Sequence, residues 1–267
     1  MDKKSEKNHV YSHKTNTSIW HEEAGVGNPY AVETCRLHGY DLFDLLKSAK
    51  FVDTLFLLFT AELPTPEQSR LLETLMIFLI NPGPRHNATR AAMNAGVSKA
   101  DHAHILPIGL MALGGEHLGS TEVEQSINFF NSKINLDPEE VGDQLLSSVN
   151  FLEAGDNHIA PGFGSRFNSI DSVAEKAAKH LVLLPGAGHS LKWGNLFTDK
   201  ISGEGFSWLN TGVAAAVFND LGIGAREGAG LFQLMSAPGL LAHGLEQTHK
   251  PITAMPMLQD EDYVIEK

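Results

Sequence analysis

Three short stretches of this chain bring acid/base, cationic and glycine residues together. In Gly114-Gly115-Glu116-His117-Leu118-Gly119 a carboxyl and an imidazole sit on a glycine-flanked bend that ends the apolar segment 105–113. An imidazole titrates near neutrality, so it can take up and return protons. Asn81-Pro82-Gly83-Pro84 turns the chain into Arg85-His86-Asn87, and Gly162-Phe163-Gly164-Ser165-Arg166 forms a third cluster. A guanidinium can clamp a carboxylate or phosphate in bidentate fashion, and glycines let backbone approach a ligand closely. Convergence of the three loops would make an anion site with a proton carrier beside it. The competing reading is local: His117 and Glu116 as surface or capping residues, and Arg166 as a surface or ion-pair arginine.

Helices must position these loops. Leu42, Leu45 and Leu46 share a helical face, and Phe51, Val52, Leu55, Phe56, Leu58 and Phe59 continue at helical spacing towards Pro64. Thr65-Pro66-Glu67-Gln68 predicts a helix start, with Thr65 as N-cap and Gln68 closing a capping box. The stripe Leu71, Leu72, Leu75, Met76 and Leu79 follows. Residues 88–95 are helical in composition, and Ser98 with Asp101 predicts the cap of the next helix, which carries Pro107 inside it. Asp137-Pro138-Glu139-Glu140 opens a helix expected to run to about Leu152, and further helices are expected over 172–184, 209–221 and 227–247, the last broken near Pro238-Gly239. Residues 20–29 read as irregular and 155–167 as a glycine-rich loop. With no sustained period-two alternation, the expected fold class is all-α.

At 267 residues the chain is long enough to bury a proper core, and 42% apolar with 19% charged residues places it in the ordinary globular class. A net charge of −12 without clustered Lys and Arg argues against a nucleic-acid surface. One cysteine, Cys35, excludes an intramolecular disulfide, and the polar first 18 residues read as a flexible leader without an apolar core, so the expectation is a soluble protein of the cytoplasm. His102 and His104 point about 200° apart on a helix and make no metal site, and no metal is expected. The Gly222–Gly228 run misses the dinucleotide spacing, the Leu181–Gly188 run lacks a following Gly-Lys-Ser/Thr, and neither Gly-x-Ser-x-Gly nor HExxH occurs.

Taken in order, HGYDLFDLL at 38–46, FVDTLFLLFTAELPTPEQ at 51–68, ALGGEHLGSTEVE at 112–124, PGFGSRF at 161–167 and AHGLEQ at 242–247 resemble the citrate synthase superfamily. The resemblance is to its compact members, the citryl-CoA lyases and the synthase-like module of ATP citrate lyase. It implies a helical homodimer, with a large domain (19–120 and 211–267) interrupted by a smaller one (121–210) that closes over coenzyme A and a carboxylate. The implied activity is carbon–carbon bond cleavage or formation in an acyl-CoA such as citryl-CoA. In the implied site His117 supports an enolate or returns a proton, Glu116 is a candidate base, and Ser165 donates a hydrogen bond. Arg166 and Arg85, with His86 and Asn87, hold carboxylates, and Gly162, Phe163 and Gly164 approach coenzyme A. By the same alignment the family's catalytic histidine falls on Leu118, one residue past His117, and other family acid/base positions carry Ser165 and Pro82 or Pro84. These departures leave a second implied reading, a catalytically altered paralogue or partner subunit that binds coenzyme A or a carboxylate.

Overall fold

The computed structural model describes residues 14–148 and 155–265. Most of the expected leader, and the expected helical stretch near Leu152, lie outside these residues. The chain divides into two compact units, residues 1–64 and 65–267.

In the first unit β1 (Trp20–Gly25) and β2 (Asn28–Leu37) form an antiparallel hairpin running from Trp20 opposite Leu37 to Gly25 opposite Asn28, and β3 (Tyr40–Asp41) extends it. This corrects the irregular reading of residues 20–29. The hairpin left no alternating pattern because neither face of β1 is buried, and of β2 only Leu37 is. Asp41 caps α1 (Leu42–Ser48), accepting from the backbone N–H groups of Phe43 and Asp44, and α2 (Phe51–Thr60) follows. Leu37, Leu45 and Leu57 form the small core of this unit, with Ala49 against it.

The second unit opens with α3 (Pro66–Leu79), where the capping box forms as expected: Thr65 Oγ1 accepts from Gln68 N at 3.2 Å and the Gln68 side chain accepts from Thr65 N at 2.9 Å. Helix α4 (Asn87–Val97) is capped by His86, and α5 (His102–Leu113) by Asp101 alone, because Ser98 belongs to the C-terminal end of α4. Then come α6 (Ser120–Lys133) and α7 (Pro138–Leu146), the latter with the expected Asp137 cap. Residues 157–165, expected as loop, form the hairpin β4 (Asn157–Ala160) and β5 (Phe163–Ser165).

Helix α8 (Ser172–Leu181) leads to α9 (His189–Ile201), β6 (Ser207–Trp208) pairs with β5, and α10 (Asn210–Asp220) and α11 (Ala225–Thr248) complete the unit. Helix α9 escaped the sequence reading. Its cap comes from 30 residues away: Asp220 accepts from the backbone N–H groups of Gly188, Ser190 and Leu191 at 2.6–3.2 Å. Behind it the rings of Phe163, Trp193, Phe197 and Trp208 pack with centroids 4.6–5.1 Å apart.

Helix α10 is buried from Thr211 through Phe218, its Gly212 and Ala214, Ala215 and Ala216 allowing close neighbours. Helix α11 runs 24 residues without the expected break at Pro238. The adjacent Gly239 N–H bonds Ile80 O at 2.9 Å, so the ladder interrupted by proline is satisfied from another element. Small sheets notwithstanding, the molecule is mostly helical. No helix among the described residues is long and apolar enough to cross a membrane.

Candidate functional site

A cleft of about 780 Å³ lies between the end of α3, the start of α4, the bend at 117–118, the 166–174 segment, and single residues of α10 and α11. His117, Arg166, Arg85, His86 and Asn87 all line it, so the three loops do converge. Arg90, one turn beyond His86 on α4, joins them.

The bend is built around Leu118. Its φ of 53° is left-handed, unusual for a branched-chain residue, and its side chain is only 2% exposed. Two groups hold this backbone. His86 Nε2 meets Leu118 O at 3.2 Å, while its Nδ1 accepts from Ala88 N at 3.1 Å at the start of α4. A ring that accepts at Nδ1 and donates at Nε2 is neutral. Burial, foremost, pushes the His86 pKa below its ordinary value, against the upward pull of the Leu118 carbonyl.

From the other side, Glu122 Oε2 accepts from Leu118 N at 3.0 Å. The same carboxylate, in a residue 2% exposed, takes Gly162 N at 3.2 Å and His158 Nδ1 at 2.8 Å on Oε1. The bond to Glu122 is the leading cause of the raised His158 pKa, with desolvation opposing it. The turn of α6, the β4–β5 hairpin and the His117 bend are thereby tied to one buried carboxylate.

His117 sits on top of this frame, its side chain 54% exposed. Its Nε2 is 3.3 Å from Asp156 Oδ2, and its ring centroid is 6.0 Å from that of His158. Arg166 Nε lies 2.8 Å from the same Asp156 oxygen, an ion pair without hydrogen-bond alignment, while Asp156 Oδ1 accepts from Phe167 N at 2.9 Å. Arg166 is itself held in a tight turn: it exchanges backbone hydrogen bonds with Ser169, and Phe167 and Asn168 both take positive φ. A bulky residue in that conformation is strained, and such strain gathers at functional sites.

Not every expected residue reaches the cleft. Glu116 is exposed and is not among the residues that line the cleft. Ser165 is 4% exposed and paired with Asn157 in the hairpin. Gly162, Phe163 and Gly164 are buried for packing reasons: a Cβ on Gly162 would lie 2.4 Å from Gly212 Cα, and Phe163 is fully enclosed among the aromatic rings. Their glycines serve close chain approach inside the fold. Arg90, Glu122, Asp156 and His158 also belong to the site, though no local sequence pattern marks them. Asp156 and His158 lie in the 155–167 stretch expected as a glycine-rich loop, six and four residues before Gly162. Glu122 had no local signal, since its partners are 4, 36 and 40 residues away.

Electrostatically the cleft favours anions. Arg85, Arg90 and Arg166 face it against one lining carboxylate, Asp171, which already accepts the Val173 and Ala174 N–H groups at the start of α8. Arg85 and Arg90 have no carboxylate within ion-pair distance among the described residues. Two guanidiniums without an ion-pair partner among the described residues, with Arg166 lining the same cleft, suit a polycarboxylate. No group of His, Cys, Asp and Glu among the described residues could hold a metal ion.

No protein-family profile matches the chain, and no curated protein matches it in sequence. Solved structures do match. Citryl-CoA lyase from Hydrogenobacter thermophilus superposes with a TM-score of 0.75 at 21% identity, over 95% of this chain and 94% of that one. ATP citrate lyase from Methanothrix soehngenii, in complex with citrate and coenzyme A, matches with a TM-score of 0.68 at 18% identity, over 96% of this chain but 44% of that one. Citrate synthase from Thermotoga maritima gives 0.61 at 18% identity, covering 81% and 58% respectively. The chain shares the helical fold of these citryl-CoA lyase, ATP citrate lyase and citrate synthase structures, at close to the length of the citryl-CoA lyase.

Proposed function

We propose that this protein is an acyl-CoA carbon–carbon lyase or synthase of citryl-CoA lyase type. The observation that carries the reading is the convergence of Arg85, Arg90 and Arg166 with His117 on one cleft of a citrate synthase-like fold. Structures of that fold bound to citrate and coenzyme A support the ligand class. In the cleavage direction the arginines hold the carboxylates, and a base takes the proton of the tertiary hydroxyl. The electrons of that O–H bond form the ketone as the carbon–carbon bond breaks. The departing pair becomes the thioester enolate, which takes a proton at carbon to give the acyl-CoA. His117 is the proton carrier at the cleft, a role worth about 10²–10⁴-fold in rate. The exposed ring of Phe167, with Ile170 beside it, supplies apolar contact for the coenzyme A end.

In this proposal residues 121–210 act as the smaller domain, and their closure over the cleft excludes water from the enolate. A homodimer acting in the cytoplasm completes the proposal. The direct test is His117→Ala: turnover of citryl-CoA is expected to be lost while calorimetry still shows coenzyme A binding. Undiminished turnover sinks the assignment. The second reading, a paralogue that binds without catalysis, is favoured by Leu118 at the family's catalytic position; binding of coenzyme A, oxaloacetate or citrate by the unaltered protein with no product formed selects it.

A further inference from the structure

Asp156 is not a residue that the family resemblance marks, yet it is the carboxylate that touches both groups the proposed reaction needs. Its Oδ2 faces Arg166 Nε at 2.8 Å and His117 Nε2 at 3.3 Å, its side chain is 4% exposed, and its Oδ1 is fixed by the Phe167 N–H. A carboxylate so enclosed, paired with a guanidinium, is an acceptor only. It therefore sorts the two nitrogens of the imidazole: the nitrogen that faces it is favoured as N–H, and the other is left bare. Neither contact to Oδ2 is aligned as a hydrogen bond, the state in which ligand-free catalytic contacts are often found before substrate tightens them.

We propose that Asp156 is the positioning residue of the site: it holds neutral His117 as the Nε2–H tautomer, so that Nδ1 is the atom that exchanges the proton with substrate, and it locks Arg166 in the same frame. The inference rests on the lyase reading for its chemical meaning, though not for its test. Other charged groups near the ring do not reverse it. His158 is committed through Nδ1 to Glu122, neutral His86 to Ala88 and Leu118, and Asp171 to the start of α8. Arg85 and Arg90 are donors and cannot accept from the imidazole. Binding of a carboxylate on the outer edge of Arg166 competes with Asp156 for the guanidinium and releases Oδ2 towards His117.

The ring ¹⁵N chemical shifts of His117 in the full chain, assigned by difference from His117→Asn and recorded at a pH where the ring is neutral, distinguish the tautomers. The expected result is a protonated-type Nε2 and a bare Nδ1. The opposite pattern overturns the inference whatever the substrate proves to be. Because the tautomer is read on the unaltered protein, a variant that fails to fold does not enter the decision. Asp156→Asn, which replaces the acceptor by an amide, is expected to shift the tautomer population towards Nδ1–H and to lower kcat/KM for citryl-CoA on the order of 10²-fold, the scale of a displaced catalytic group. An unchanged tautomer in a folded Asp156→Asn protein also overturns it. Loss of the lyase reading alone would show as an Nε2–H ring in a protein that does not turn over citryl-CoA.

Discussion

Glu122 accepts from Leu118, Gly162 and His158, and each contact makes a different demand on it. Replacing it by Gln removes the charge and one acceptor without changing the shape. Since the Glu122 bond is the first cause of the raised His158 pKa, Glu122→Gln is expected to lower the His158 titration midpoint, read by NMR; an unmoved midpoint would mean the ring is charged for another reason. The sign for stability follows: with a folded pKa above the ordinary 6.5, the pair stabilises fully below 6.5, and that contribution is lost as pH rises through the raised value. His86 acts the other way. Its folded pKa lies below 6.5, so the unfolded chain binds the proton first, and stability falls as pH drops from 6.5 through the lowered value. Protonation would place an N–H at Nδ1, facing the Ala88 N–H that it now accepts. His86→Ala should remove that acid sensitivity, measured as the pH dependence of urea unfolding, at a cost of about 0.5–2 kcal/mol for the lost cap. At Arg166, truncation to Ala removes a charged hydrogen-bonding group worth about 1.5–3 kcal/mol, so citrate affinity by calorimetry is expected to fall roughly 10–150-fold.

At the scale of elements, the hairpin β4–β5 does the joining. Gly162 combines a φ of 78° with backbone contact to Gly212 of α10, and Glu122 of α6 reaches its N–H. A methyl group there meets backbone rather than a movable side chain. Gly162→Ala is therefore expected to destabilise by about 1–3 kcal/mol from overpacking, with the left-handed conformation adding about 1–2 kcal/mol. Urea unfolding measures it, and a change under 0.5 kcal/mol would show that α10 can move away. Local signals predicted elements well where partners are near in sequence: the Thr65–Gln68 box and the Asp137–Pro138 start are each complete within four residues. They failed for α9, capped by Asp220, and for α11, where Pro238 looks like a break until Ile80 supplies its carbonyl to Gly239. The β1–β2 hairpin failed for a different reason, having no buried face to impress a pattern on the sequence.

On the scale of the whole molecule, a chain of net charge −12 carries a cleft whose charged lining is mainly guanidinium. Local attraction of a carboxylate must act over short range against a repulsive background, so it is exposed to screening. The Debye length falls from about 10 Å at 0.1 M salt to about 3 Å at 1 M. Citrate affinity is expected to weaken as sodium chloride is raised across that range, and an affinity indifferent to salt would argue that the arginines do not face the ligand.

Amphipathic stripes, caps and prolines are properties of neighbouring residues, so the mostly helical class and most helix starts could be read from the amino-acid order alone. So could the candidacy of His117, Arg166 and Arg85, since glycine-flanked polar residues after apolar helices announce themselves locally. What only the tertiary structure decided is which of those groups share a space. It brought Arg90 to Arg85 and Arg166, withdrew Glu116, Ser165 and the 162–164 glycines from the cleft, and set Asp156 between His117 and Arg166. The role of a carboxylate depends on its burial and on the donors within about 3 Å, and for Glu122 and Asp156 those donors come from 4 to 40 residues away along the chain.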